Sequence, residues 1–357
     1  MTKARALAVL ALTLAACGSS SGGPKSSPPP GLQSGWNPVP GMQCADGSAT
    51  GIGLLPGRSD KVLFYLSPGG ACWGSATCGS DILRKFGAIE YLAVQYYASG
   101  TIFDRTVAGN PFKDWTFVFV PYCTGDVHAG QSVATHGGET WQHRGWANLH
   151  AAVAAVTGGL TRPAEVVVAG SSAGGFGALA AYDLVRAEWD PAGGTSAMLL
   201  DDSGPTFVGN AMPPQLLARW WDVWGLGSTI GSICAGCERD LSAVWPALHG
   251  RHPVDRLALV STLQDATMIG FFADPDLQIP EMAATTFQAN VDALAAALTP
   301  LGPNVGMYQI GGAAQQRHAL LDDSIFLGPA NPQGPALLDW VSAMVAFDPT
   351  WASSTSL

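Results

Sequence analysis

The stretch Glu165-Val166-Val167-Val168-Ala169-Gly170-Ser171-Ser172-Ala173-Gly174-Gly175-Phe176-Gly177 constrains this chain more than any other. A short β-branched run ends in Gly-x-Ser-x-Gly and passes directly into an Ala-rich helical pattern. Strand, sharp turn and helix in that order make a nucleophile elbow, whose strained turn holds a serine hydroxyl above the end of a sheet. Small residues at Gly170, Ala173 and Gly174 let strand and helix pass close together. The helix N-terminus beneath adds a positive dipole end and free N–H groups for a developing oxyanion. Gly-x-Ser-x-Gly alone also recurs as a plain glycine-rich turn, and it is the flanking strand and helix that favour catalysis here. Ser172 is the nucleophile candidate. Ser171, one residue off the elbow, is the weaker one.

An elbow needs a sheet around it, and the rest of the chain supplies the pattern. Lys61 to Leu66 is a buried-strand run entering Ser67-Pro68-Gly69-Gly70-Ala71-Cys72-Trp73, a Gly-Gly loop of the kind that carries further oxyanion donors. Trp115 to Val120, Ala197 to Asp202, Arg256 to Thr262 and Val305 to Ile310 read as further strands, the last of these closing the sheet. Helical patterns run over Pro213 to Trp224, Glu281 to Leu298 and Pro335 to Phe347. Strands alternating with helices predict an α/β fold, with a mostly parallel sheet covered on both faces and a helical insertion near the site. Trp220, Trp221 and Trp224 in that insertion are either core or the wall of a substrate cleft.

Glu139 to Val156 also has a helical rhythm, which places His143 and His150 on one face. Together with His128 and His136 they show no metal-ligand spacing. Structural or surface roles are expected, and no metal.

The chain has 357 residues, of which 47% are hydrophobic and only 12% charged, enough for a large core in one catalytic domain over residues 36–357. The net charge of −10 without a basic cluster excludes nucleic acid as a partner. Lys3 and Arg5 precede an apolar run from Ala6 to Leu14 that is too short to span a bilayer. Leu14-Ala15-Ala16-Cys17 then resembles a bacterial lipobox. Residues 1–17 are therefore expected to be a lipoprotein signal peptide ending in lipidated Cys17, and residues 18–35 a disordered Gly/Ser/Pro tether. An exported lipoprotein follows, held on a membrane by that anchor alone, at the periplasmic face or cell surface. Six further cysteines suggest three disulfides in an oxidising compartment. Cys234-Ala235-Gly236-Cys237 has redox spacing, but without a thioredoxin-like βαβ pattern a structural disulfide is expected.

A serine hydroxyl is a poor nucleophile without a base, and the base needs an orienting acid. On this fold the chain order is Ser, then Asp or Glu, then His, on loops after successive strands. Asp265 follows the Arg256–Thr262 run, and His318 follows the last strand as the one histidine C-terminal to that acid. Asp202, at an earlier strand end, is the rival acid; its alternative role is to brace the elbow through hydrogen bonds. Asp265 is preferred because it lies after a later strand.

Gly69-Gly70-Ala71-Cys72-Trp73, Pro121-Tyr122-Cys123-Thr124-Gly125-Asp126, Gly170-Ser171-Ser172-Ala173-Gly174-Gly175, Asp202-Ser203-Gly204, Gln264-Asp265 and His318 together resemble the pectinacetylesterase/Notum family, in order from about Cys44 to His318. The resemblance implies an α/β-hydrolase fold and carboxylic-ester hydrolysis without metal or organic cofactor. It implies Ser172 as nucleophile, Asp265 as acid and His318 as base, with oxyanion donors at the N–H groups of Gly70, Ala71 and Ala173. Gly69 and Asp202 are candidate supporting residues. It also implies the disulfides Cys44–Cys123, Cys72–Cys78 and Cys234–Cys237. One departure stands out: the family's Gly-Gly-Gly-Trp-Cys loop is here Pro68-Gly69-Gly70-Ala71-Cys72, with the tryptophan past the cysteine. A methyl thus replaces the side chain that stands over the reaction site in plant and animal members.

The expected substrate is an acetyl or other short acyl ester on a glycan or small molecule, handled by a monomer. Lipid, protein-linked acyl and polyester substrates are the alternatives within enzymes. A surface-binding lipoprotein on a hydrolase scaffold is the alternative outside them, and a binding module has no need of all three catalytic residue types.

Overall fold

The computed structural model describes residues 31–79, 82–190, 194–323, 326 and 335–356. The expected signal peptide, Cys17 and residues 18–30 of the expected tether lie outside them. The last tether residues are already tied down. Gln33 N–H donates to Asn37 Oδ1 at 2.7 Å, and Asn37 Nδ2 donates to the Gln33 and Gly35 carbonyls. No helix among the described residues is long and apolar enough to cross a membrane.

The first elements of the described residues are β1 (Gly35–Gln43) and β2 (Ala49–Leu55), an antiparallel pair absent from the sequence expectation. After β3 (Lys61–Leu66) come α1 (Ala88–Tyr96) and β4 (Thr116–Val120). A two-stranded hairpin, β5 (Ser132–His136) and β6 (Glu139–His143), precedes α2 (Gly145–Thr157). The expected helix over Glu139 to Val156 is therefore wrong in its first six residues, of which five form β6. Gly137 and Gly138 have φ of 57° and 83°, the pair of positive values that a type I′ hairpin turn demands. Trp141 and His143 turn inward, whereas His150 lies exposed on α2, so the two histidines share no helix face.

Next come β7 (Glu165–Ser171), α3 (Ala173–Trp189) and β8 (Ser196–Asp202). The insertion holds α4 (Pro214–Val223), α5 (Ile230–Ile233) and α6 (Val244–Arg251). Then follow β9 (Arg256–Thr262), α7 (Ala266–Phe271), α8 (Ala284–Leu298), β10 (Val305–Ile310), α9 (Leu337–Val345) and β11 (Ser354–Ser356). Contrary to expectation β10 does not end the sheet, because β11 pairs parallel with its outer edge.

Among the described residues nine strands form one sheet in the order β1-β2-β4-β3-β7-β8-β9-β10-β11, antiparallel at the β1–β2 and β2–β4 steps and parallel elsewhere. The central strands are buried on both faces, and alternate residues divide between two cores. Val62, Phe64, Val166, Val168, Leu199 and Leu259 join one core, which α3 and α8 cover; Leu63, Tyr65, Val167, Ala169, Leu200 and Val260 join the other, which α9 covers. From β3 the chain crosses to β4 on one side, and from β7 it runs on to β8 on the other. The crevice between the C-terminal ends of β3 and β7 is thus a topological switch point, where open α/β sheets bind ligands.

Among the described residues three disulfides join Cys44 to Cys123, Cys72 to Cys78 and Cys234 to Cys237. Trp220 and Trp224 are buried core residues, and Trp221 is half-buried beside them. The open question of core or cleft wall resolves to core for the first two.

Candidate active site

At the end of β7 the backbone turns through Ser172 with φ 56° and ψ −119°, a conformation that costs an L-residue of order 1–3 kcal/mol and needs its surroundings to impose it. Three features impose it here. Ser172 N–H donates to the Asp202 carbonyl on β8 at 2.7 Å, and Ser172 C=O accepts from Gly175 N–H at 2.8 Å. The neighbouring positions leave no space for a side chain: a Cβ on Gly170 would lie 2.1 Å from the Gly174 oxygen, and one on Gly174 would lie 2.1 Å from the Leu66 oxygen. A Cβ on Gly175 would meet Asp201 Oδ1 at 2.2 Å.

Strand register sets the companions. Leu66 pairs with Gly170, which puts the loop after β3 beside the elbow. Gly70 there has φ 71°, and Ala71 and Ala173 are buried. Among the described residues the N–H groups of Gly70, Ala71 and Ala173 have no acceptor. His128 secures this loop: its Nε2 donates to the Ser67 carbonyl at 3.0 Å while its ring lies 4.7 Å from that of Tyr122. Burial pushes His128 down to about 4, so the ring is neutral near neutral pH.

Asp265 caps α7, where its Oδ1 accepts from Met268 N–H at 2.9 Å and its Oδ2 lies 2.7 Å from His318 Nδ1. Asp265 is fully buried, and His318 Nε2 is buried without a hydrogen-bond partner among the described residues. This is the arrangement that fixes a histidine with Nδ1–H on the acid and an Nε2 lone pair free. The loops after β9 and β10 are stitched together: Gln264 N–H donates to the Gln315 carbonyl at 2.7 Å, and Thr262 Oγ1 to the Arg317 carbonyl at 2.8 Å.

The rival acid is spent elsewhere. Asp202 Oδ2 accepts from Ser171 Oγ at 2.7 Å and from Leu321 N–H at 2.8 Å, and Ser203 Oγ donates to Oδ1 at 2.9 Å. Ser203 Oγ in turn accepts from Ala319 N–H at 3.2 Å. Asp202 therefore ties the elbow to the loop carrying His318, and among the described residues it forms no hydrogen bond or ion pair with the imidazole. Ser171, the weaker nucleophile candidate, is fully buried in this network.

Tyr65 and Asp322 complete it, and neither stood out in the sequence. Tyr65 Oη lies 2.9 Å from Ser171 Oγ and 2.6 Å from Asp322 Oδ1. Desolvation by burial raises Asp322 to about 7, with the Asp202 charge adding to the rise. Tyr65 Oη donates to Asp322 Oδ1 and Ser171 Oγ donates to Asp202 Oδ2, a chain of polar groups beneath the elbow that joins β3, the elbow and β8. The signal that could have found Tyr65 is its alternation: it faces the core opposite to Phe64, at the last inward position of β3 on that side.

Trp73 does not overhang the crevice. It is buried, donates from Nε1 to Asp274 Oδ2 at 2.8 Å and packs 5.3 Å from the rings of both Trp220 and Phe271. A cavity of about 430 Å³ lies on the other side, between α1 and the sheet. Phe86, Val94, Phe103 and Phe119 line it, together with Ser67, Pro68 and Asp322.

The Pectinacetylesterase family profile matches residues 37–212, which include the loop after β3 and the elbow but neither Asp265 nor His318. The human palmitoleoyl-protein carboxylesterase NOTUM is 29% identical over 169 residues, covering 46% of this chain and 34% of that protein. Pectin acetylesterase 5 of Arabidopsis thaliana is 27% identical over 151 residues, covering 41% and 35%. The chain's match thus spans about a third of the length of these relatives. The Drosophila Wnt deacylase Notum superposes with a TM-score of 0.60 at 17% identity over 91% of this chain and 97% of that one, a likeness of fold. With the profile, both sets of relatives and the fold agreeing, the chain belongs to the pectinacetylesterase/Notum family.

Proposed function

We propose that the protein is a carboxylic ester hydrolase that removes acetyl or another short acyl group through Ser172, His318 and Asp265. The observation that carries this reading is the pairing of His318 Nδ1 with buried Asp265 at 2.7 Å, Nε2 left without a partner, above a sheet whose elbow holds Ser172 in strained geometry. In this reading Ser172 Oγ attacks the ester carbonyl as His318 Nε2 takes its proton. The N–H groups of Gly70, Ala71 and Ala173 receive the oxyanion, each contributing about 3 kcal/mol. Collapse of the tetrahedral species expels the alcohol with that proton. Water, deprotonated by the same imidazole, then releases the acid from the acyl-serine. Asp265 holds the tautomer and stabilises the imidazolium throughout. Asp202 and the chain through Ser171 and Tyr65 hold elbow and histidine loop in register.

A glycan is the preferred acyl carrier, in keeping with the plant relative's name. Acetate release from acetylated pectin and acetylated xylan, beside nitrophenyl acetate, tests it. Polymer deacetylation by wild type and not by Ser172→Ala supports the glycan, whereas turnover of the small ester alone removes it. A second reading, a longer acyl chain on a protein or lipid, is favoured by the 430 Å³ cavity, within the ~300–1,000 Å³ of small-molecule sites. Activity rising along a nitrophenyl ester series from acetate to decanoate would select it. The location proposed for the work is extracytoplasmic, with Cys17 lipidated. Three disulfides suit an oxidising compartment. Loss of fatty-acid labelling in Cys17→Ser is the expected result.

A further inference from the structure

We propose that His136 and His143 form a seat for a borderline divalent metal ion, Zn²⁺ or Cu²⁺, which the Cys72 thiolate completes when the Cys72–Cys78 disulfide is opened. The two histidines stand on β5 and β6 on either side of the Ala134–Trp141 cross-strand pair, and the period-2 alternation puts all four side chains on one face of the hairpin. The two imidazole rings converge beside the Trp141 ring, with centroids 5.6 Å apart. Their Nε2 atoms lie 3.4 Å apart. Two nitrogens on one tetrahedral ion at ~2.0–2.1 Å are about 3.3–3.4 Å apart, so the spacing already fits a shared ion. As a hydrogen bond the same contact is long.

The second layer fits as well. His143 is fully buried, and its Nδ1 lies 2.9 Å from the Thr124 carbonyl, so the neutral ring donates there and turns its Nε2 lone pair toward His136. His136 is half-buried and closes the seat from the solvent side, which leaves an entry path. Imidazole suits zinc and copper, with Cu²⁺ bound more tightly than Zn²⁺.

Cys72 Sγ and one ring nitrogen of each histidine lie within 4.8 Å of one another. In the disulfide that sulfur is a weak donor. A phosphine reductant opens the bond: water supplies the oxygen that leaves as phosphine oxide and the two protons that cap Cys72 and Cys78. Metal binding then displaces the Cys72 proton and forms a sulfur–metal bond, converting a two-imidazole seat into a His₂Cys one.

The test uses the full chain, oxidised and then reduced. Titration of oxidised protein with Cu²⁺, followed by electron paramagnetic resonance, should give one equivalent bound with hyperfine structure from two nitrogens. His136→Gln, at a half-buried strand end and checked for fold by circular dichroism, should lose that signal, and His143→Asn should lose it too if it folds. Equal copper binding by wild type and His136→Gln, or no stoichiometric binding by wild type, overturns the seat. Co²⁺ added to phosphine-reduced protein should give a thiolate-to-cobalt charge-transfer band in wild type that is missing from Cys72→Ser. A band retained in Cys72→Ser, or missing from wild type, overturns the third ligand.

Discussion

At the residue scale the proposed chemistry rests on three side chains and a hydrogen-bonded chain beneath them. Ser172→Ala should lower ester turnover by about 10⁴–10⁶-fold with the fold intact, since residues of such a unit contribute together. Asp265→Asn should lower kcat by about 10⁴-fold, because an amide at 2.7 Å from His318 Nδ1 favours the wrong tautomer. Asp322 offers a separate, pH-resolved prediction. Its carboxyl is raised to about 7 from the ordinary 3.8, so its contribution to stability is complete below about 3.8 and is lost as pH rises through about 7. Tyr65, Asp202 and His318 are the titratable groups that act on it, and Asp322→Asn keeps the neutral shape. Urea unfolding from pH 5 to pH 8 should show wild type losing stability relative to Asp322→Asn as pH rises. A constant difference between the two would contradict the assigned protonation.

At the element scale, legibility followed local chemistry. The strand-elbow-helix run could be read because each step has its own residue pattern: β-branched, then glycine-flanked serine, then alanine-rich. Asp265 and His318 were legible because the topology demands an acid and a base after later strands, and each of those strands was a plain apolar run. The β5–β6 hairpin was not. Its Trp141 and His143 alternate inward over only a few residues, and α2 follows with one residue between, so the helical period overran the strand. The Gly137-Gly138 pair was the available correction. Strands β1 and β2 were missed because prolines and glycines interrupt their pattern, as suits an antiparallel edge. Elbow packing makes its own prediction. Gly174→Ala places a methyl 2.1 Å from the Leu66 oxygen, which forces β3 and α3 apart. Stability should fall by about 2 kcal/mol or more, and activity further than stability, since the oxyanion loop rides on β3. A variant with wild-type Tm and activity would contradict the close approach.

Across the whole molecule, two cores divided by one sheet carry the site at their shared upper edge, so long-range ties matter more than local ones. The Cys44–Cys123 bridge closes 79 residues and fastens the start of the sheet to the loop after β4, whereas Cys234–Cys237 closes 3. Chain-entropy arithmetic gives about 4.5 kcal/mol for the first and about 2 kcal/mol for the second, and paired Cys→Ala variants measured by chemical unfolding should keep that order. Buried histidines set the acid limit. His128 and His143, each lowered to about 4 from 6.5, contribute stability that is complete above about 6.5 and lost as pH falls toward about 4. Both sit where the oxyanion loop and the hairpin meet the loop after β4, so acid should loosen this side of the crevice first. Amide protection factors, which divide out the intrinsic pH dependence of exchange, should fall there between pH 7 and pH 5 before they fall in β8 and β9.

The central claim is that Ser172, activated by His318, forms an acyl intermediate. Its most direct test is a fluorophosphonate probe applied to folded wild type, Ser172→Ala and His318→Ala, with the labelled peptide identified by mass spectrometry and nitrophenyl acetate turnover measured alongside. The account predicts a single label on Ser172, no label in Ser172→Ala, strongly slowed labelling in His318→Ala, and turnover that follows the label. Labelling of Ser171, or turnover undiminished in folded Ser172→Ala, would contradict it.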